Sequence, residues 1–330
     1  MRKRRLESDA FTPRARKPHL GRREFCRTAV GLAFAALGGG CAQDAVRDDQ
    51  AEIVWGRIGI SDGRFQKPRA VAIDAEDRLY IVDMTARIQV FDRNGSFLRS
   101  WSTPAHANGR PTGLSVSRDG LLMVADTHYY RVLFYTPEGE LRDELTIGGT
   151  MGQGPGEFGF VTDVVQDSAG NFYVAEYGEY DRIQKFSPER EYVMQWGGHG
   201  DEPGHFARPQ AMLATNDDRI VVADSCNHRI QIFDPSGNLL NMWGRQGAAP
   251  GQLSYPYGLA LDEGGQLYVC EYGNHRVQKL TLAGEPLGVW GHEGRRPGQL
   301  FNPWSLVLDS RERVHVIDSM NHRVQRLVVS

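Results

Sequence analysis

The sequence predicts an all-β protein built from six copies of a four-stranded unit, and three observations lead to that class. The first is a repeat. Six acidic residues, Asp83, Asp126, Glu176, Asp224, Glu271 and Asp318, each end a short apolar run, at spacings of 43, 50, 48, 47 and 47 residues. An arginine follows four to six residues later in every copy: Arg87, Arg131, Arg182, Arg229, Arg276 and Arg323. The second is the pattern inside a copy, where four apolar runs, at 257–261, 267–270, 276–280 and 286–290, are separated by Gly, Asp or Asn turns. The third is the incomplete last copy. It offers three runs, near 304–309, 314–318 and 323–329, and the missing fourth is at 52–56, where Trp55-Gly56 copies the Trp-Gly of Trp196, Trp243 and Trp290. A unit of about 47 residues cannot cover both faces of its own sheet. Neighbours must therefore stack, and a first strand that completes the last unit closes the ring.

Composition agrees with a folded chain. Of 330 residues, 40% are apolar and 24% charged, too apolar for disorder, and 4 Cys are too few for a disulfide scaffold. No apolar run reaches the 18 or more residues of a membrane-spanning helix. Charge is split unevenly: residues 1–41 hold ten Lys or Arg and three acids, whereas from 42 onward 28 basic residues face 38 acidic ones, a net charge of −10. An acidic body argues against nucleic acid as a partner, because phosphate binding needs a basic face.

Residues 1–41 are set apart from the fold. Gly21-Arg22-Arg23-Glu24-Phe25-Cys26-Arg27, followed by the apolar stretch 29–37, resembles a twin-arginine signal peptide. That resemblance implies export of the folded chain. Leu37-Gly38-Gly39-Gly40-Cys41 resembles a lipoprotein box, which implies a lipid on Cys41 as a membrane anchor and a periplasmic or cell-envelope location. Cleavage after Ala42 by the ordinary signal peptidase is the competing reading. Residues 42–50 then form a short linker, and 51–330 form the ring.

The clearest copies read Val222-Ala223-Asp224-Ser225-Cys226-Asn227-His228-Arg229 and Val316-Ile317-Asp318-Ser319-Met320-Asn321-His322-Arg323. They resemble NHL repeats, and six of them imply a six-bladed β-propeller. Trp101, Trp196, Trp243, Trp290 and, in the same register, Leu145 are expected to pack on fourth strands. In such a ring the turn after each acid shares one face with the residues that open each innermost strand, after Pro68, Pro209, Pro256 and Pro303 in four copies. Arg69, Thr112, Thr162, Gln210, Tyr257 and Trp304, one per blade, are therefore expected to line the channel entrance. There the copies differ while their frames agree, as a binding site on a symmetric scaffold should. Glu176 and Glu271, each followed by Tyr-Gly, are further ligand-binding candidates.

Repetition of the acid and arginine in all six copies points to scaffold ties rather than catalysis. The repeated His228, His275 and His322 cannot share a zinc ion, since stacked sheets lie about 10 Å apart and zinc needs ligands at about 2 Å. Cys226 and Cys270 lack zinc spacing, and the paired cysteines of a RING module are absent.

The resemblance also carries enzymes. In peptidyl-hydroxyglycine amidating lyases, histidines after the strand-opening Pro converge on a channel zinc, but Arg69, Gln210, Tyr257 and Trp304 hold those places here. Gluconolactonase-type propellers use a channel cluster of Glu, Asn and Asp, of which Asp163 is the one acid placed near. The sequence thus points to a non-enzymatic, monomeric binding or scaffold propeller without a cofactor, presenting its channel face to a protein, peptide or small ligand. The alternative is a metal-assisted hydrolase or lyase at the channel entrance.

Overall fold

A computed structural model describes residues 51–329; the signal-peptide and Cys41 expectations fall outside them. The described chain forms six antiparallel four-stranded sheets. Blade I spans 70–102, blade II 113–148, blade III 160–197, blade IV 209–243 and blade V 256–290. Blade VI takes three strands from 306–327 and its outermost strand from Ala51–Trp55. This is a six-bladed β-propeller, closed as the incomplete last copy required. At the closure Val54 pairs with Gln325 and Trp55 with Val324. Arg326 clamps Glu52 through two bonds of 2.9 Å.

Burial follows position in the blade. Second strands are buried on both faces, as in Leu122–Asp126 and Ile220–Asp224, and read as unbroken apolar runs. Fourth strands alternate exposed and half-buried residues, as in Phe97–Ser102. The core is divided into six apolar clusters, one at each blade interface. Tyr80 and Val90 of blade I meet Leu114, Leu122 and Leu133 of blade II, while Ile317 and Val324 of blade VI meet Val71 and Phe91 of blade I.

The outer tryptophans fasten neighbouring blades. Trp55 packs on Phe91 of the next blade, with ring centroids 4.5 Å apart, and Trp196 on Phe233 at 5.8 Å. Trp55, Trp101, Trp196 and Trp243 also cover a turn glycine of the next blade: a Cβ on Gly95 would lie 2.5 Å from Trp55, and one on Gly284 2.5 Å from Trp243. Only Trp290 among the outer tryptophans is fully buried; the others are half-buried, less than the sequence pattern suggested. Leu145 departs from its expected place. It ends a 3₁₀ turn, and the outer strand of blade II is only Ile147–Gly148. With no tryptophan arriving from blade II, the matching turn of blade III has Arg190 in place of glycine, still at φ 68°.

The acid and arginine tie turns together in five blades. Fully buried Asp126, Glu176, Asp224, Glu271 and Asp318 meet Arg131, Arg182, Arg229, Arg276 and Arg323 at 2.5 to 2.9 Å. In blades III to VI the same guanidiniums reach into the connection that enters their own blade; Arg276, for example, donates to the carbonyls of Ala248 and Gln252, whereas Arg131 bonds its acid alone. Blade I departs from this. Its turn is one residue shorter, Asp83 accepts from the Gln66 and Thr85 amides, and Arg87 binds the carbonyls of Ile60 and Arg64 instead.

Candidate functional site

The histidines prepare the channel mouth. The Nδ1 atoms of His228, His275 and His322 accept the backbone N–H of Tyr255, Asn302 and Lys67 in the following blade, at 2.9 to 3.1 Å. Asp181 takes the histidine position in blade III and accepts the Arg208 amide at 3.2 Å. All four donors precede a proline, and all four have φ between 46° and 61°, a conformation that non-glycine side chains adopt rarely. The contact from the neighbouring blade holds each in place. The histidines are therefore interblade ties, and burial lowers the pKa of all three. Asn227, Asn274 and Asn321 are spent similarly, each bonding its acid and a glycine carbonyl.

After the proline the innermost strand begins with an irregularity. The pairing register shifts between Val161 and Asp163, Pro209 and Ala211, and Pro256 and Gly258. Thr162, Gln210 and Tyr257 are the extra residues of these bulges, and a bulge redirects a side chain out of the ladder. The innermost strands of all six blades enclose a cavity of about 290 Å³ along the propeller axis, reached by Thr112, Gln210, Tyr257 and Trp304.

The six entrance candidates divide by what their side chains already do. Thr112 bonds Thr127 at 2.7 Å, Thr162 donates to the Pro209 carbonyl at 2.6 Å, and Gln210 accepts from Arg208 Nε at 2.9 Å. Arg69, Tyr257 and Trp304 instead form a continuous wall. Arg69 lies over Trp304 at 5.0 Å, Trp304 meets Tyr257 edge-on at 5.0 Å, and Tyr257 stacks on Tyr272 at 4.7 Å. Arg208 covers both Tyr177, at 4.8 Å, and Tyr257, at 5.5 Å. Glu176 and Glu271 lie elsewhere, fully buried against Arg182 and Arg276, so their longer side chains extend the scaffold tie.

Electrostatics at the mouth are cationic. Arg69 has a lowered pKa, chiefly through burial and then through the charges of Arg208 and Arg110, with Tyr177 and Tyr257 opposing. Burial raises the Tyr257 hydroxyl, against the pull of Arg208. Deeper in the cavity, burial lifts the Asp163 carboxyl to about 7, opposed by the amides of Met212 and Val164 at 2.8 and 2.9 Å. Sequence reasoning missed Arg110 and Arg208, and noted Tyr177 and Tyr272 only as the neighbours of Glu176 and Glu271. Arg110 and Arg208 share one visible signal, since both stand immediately before a strand-opening proline.

These donors do not suit a channel zinc. The positions that open the innermost strands supply no imidazole or thiolate, and both oxygens of Asp163 are engaged by backbone amides. Among the described residues, no three His, Cys, Asp or Glu side chains converge in a way that would hold an ion.

Fold and repeats together define a six-bladed β-propeller carrying NHL repeats, and comparison with known proteins agrees. The family model described as NHL repeat matches residues 206–233 and 253–280. Rat (Rattus norvegicus) peptidylglycine alpha-amidating monooxygenase is 35% identical over 127 residues, 36% of this chain and 13% of that protein. Human (Homo sapiens) NHL repeat-containing protein 3 is 30% identical over 152 residues, 44% of this chain and 43% of that protein. The chain thus matches less than half the length of either relative. A solved streptogramin B lyase structure superposes with a TM-score of 0.60 at 13% identity, covering 83% of this chain and 96% of the other. At that identity the likeness is one of fold.

Proposed function

We propose that this chain is an exported, non-enzymatic binding propeller that presents its channel face to a protein, peptide or small ligand. It acts as a monomer and needs no cofactor. The observation that carries the reading is the contrast between frame and mouth. The same turns, ties and prolines recur around most of the ring, while the residues they present vary: Arg69, Gln210, Tyr257 and Trp304 in four blades and threonine, Thr112 and Thr162, in the other two. A scaffold that spends its repeated polar groups on itself and varies only its mouth is suited to recognition. The resemblances at residues 21–27 and 37–41 support delivery by the twin-arginine route and anchoring through a lipid on Cys41.

Similarity to the amidating monooxygenases favours a second reading, a metal-assisted lyase or hydrolase at the same mouth. Two measurements separate the readings. Elemental analysis of the purified protein is expected to find no stoichiometric divalent ion, and finding one favours the enzyme. Substituting Arg69, Tyr257 and Trp304 together is expected to abolish crosslinked recovery of the native partner while the fold remains intact. Undiminished recovery places the site elsewhere.

A further inference from the structure

Arg69, Arg110 and Arg208 differ from the other unpaired arginines in being gathered together, Arg69 and Arg208 against the aromatic wall of Trp304 and Tyr257 and Arg110 on the Met84 carbonyl. The arginines of the repeat are neutralised by buried acids in five blades, and Arg78, Arg93, Arg313 and Arg326 are also ion-paired. Among the described residues, the three at the mouth take part in no ion pair, although the body of the chain carries more acids than bases. They nevertheless feel one another, as the effect of Arg110 and Arg208 on Arg69 records. Three like charges gathered without a counterion cost stability unless something anionic arrives.

Each guanidinium is also held in place. Arg208 is fixed by Gln210 and flanked by Tyr177 and Tyr257. Arg110 Nε donates to the Met84 carbonyl at 2.8 Å, and its Nη1 to Gly109 at 2.9 Å. Arg69 is packed on Trp304 and makes no hydrogen bond through its side chain among the described residues. A guanidinium lying over a ring keeps its N–H groups directed outward in its own plane, the arrangement that binds an oxyanion in bidentate fashion. Below them the cavity is walled by small and apolar residues such as Ala72, Ala211, Leu213 and Val307. Asp163 is the acid there, and the burial that disfavours its own ionised form also makes a ligand's negative charge unwelcome deeper in.

We propose that the mouth binds an amphipathic organic anion, its carboxylate or phosphate head held by Arg69, Arg110 and Arg208 and its apolar body directed along Tyr257 and Trp304 into the cavity. This rests on the reading of the mouth as a binding site and names the chemistry of what enters. A cavity of about 290 Å³ accommodates a short chain or a single ring. A nucleic acid fits less well, because it needs a basic strip along several phosphates and the body is acidic.

The test is calorimetric titration of the full-length protein with hexanoate, hexyl phosphate, neutral hexanol and a ten-nucleotide RNA. One or both anions are expected to bind, at least tenfold tighter than hexanol, and their ranking identifies the head group. Arg69→Gln and Arg208→Gln are each expected to weaken the preferred anion tenfold or more. Both variants should melt at or above the parent temperature, since each relieves repulsion, whereas a merely structural arginine would lower it. Equal binding of hexanol, unchanged binding by the arginine variants, or salt-sensitive binding of the RNA in place of the anions overturns the proposal. If the substitution of Arg69, Tyr257 and Trp304 still abolishes partner recovery in that event, the mouth remains the site and only the anionic chemistry fails.

Discussion

Gly284→Ala tests how the blades are fastened. Gly284 sits in the turn before the outer strand of blade V at φ 89°, under the indole of Trp243 from blade IV. An added methyl meets two separate penalties. The backbone must hold a left-handed conformation, at about 1–2 kcal/mol for a residue with a Cβ. The methyl would also lie 2.5 Å from Trp243 Cδ2, and overpacking of that kind costs about 1–3 kcal/mol. Together they come to about 3 kcal/mol, which lowers the Tm of a domain this size by roughly 6–12 °C. Gly265→Ala is the internal control, because Gly265 has φ 75° with nothing within 4 Å of the new methyl. It should show the backbone cost alone, about 1–2 kcal/mol. Adding Trp243→Leu should bring the Gly284→Ala increment down to the Gly265 value in a double-mutant cycle. Equal Tm losses for Gly284→Ala and Gly265→Ala would refute the view that the indole and the glycine are matched.

Three other outcomes follow from the same frame. Arg276→Ala strands Glu271 as a buried unpaired carboxylate and should cost about 3–5 kcal/mol in urea denaturation. Arg87→Ala, whose guanidinium neutralises no buried acid, should cost about 1–2 kcal/mol, and equal values would contradict the difference between blades I and V. Deleting residues 51–57 removes the closing strand and uncovers Phe91, so it should lower Tm by at least about 10 °C; an unchanged Tm counts against closure. Acid should loosen the interblade histidine ties. Each Nδ1 must be unprotonated to accept its amide, and burial lowers the folded pKa, so the unfolded chain takes up protons first as pH falls. The stabilisation is complete above about 6.5 and declines below it, and Tm against pH should flatten in that range when His228, His275 and His322 all become Asn.

The ring was legible because its evidence is local. Apolar runs, turn residues and a 47-residue period survive in one dimension, and the closing strand announced itself through Trp55-Gly56. The mouth was half legible. Arg69, Tyr257 and Trp304 could be placed by counting from a proline. Arg208 could be counted in the same way, but its direction could not be read, because it depends on a positive φ held by Asp181 of the preceding blade, a contact between residues 27 apart. The meaning of Leu145 was hidden for a similar reason. Its counterpart is Arg190, one blade on, where the usual glycine is missing because no indole covers it.

Blade II gathers most of these departures, and they bear on the site. It has Leu133 where the third strands of the other blades carry Gln89, Gln184, Gln231, Gln278 and Gln325. Those glutamines bind the connection entering their blade, as Gln278 does through Gly251 and Gln252. The connection into blade II, residues 103–111, also lacks the parallel bridge found in the other five, such as Gln246 with Leu253. Released from the common path, it brings Arg110 to the mouth, anchored on the Met84 carbonyl of blade I. Leu133→Gln alone should therefore leave the mouth unchanged, because the glutamine would find no matching connection to bind. Replacing 103–111 with the blade V connection should restore the frame and remove one of the three cations. If the sixfold pattern is broken there to serve recognition, that chimera gains stability and loses affinity for the amphipathic anion. A chimera that gains stability and binds unchanged would separate the irregular blade from the function of the mouth.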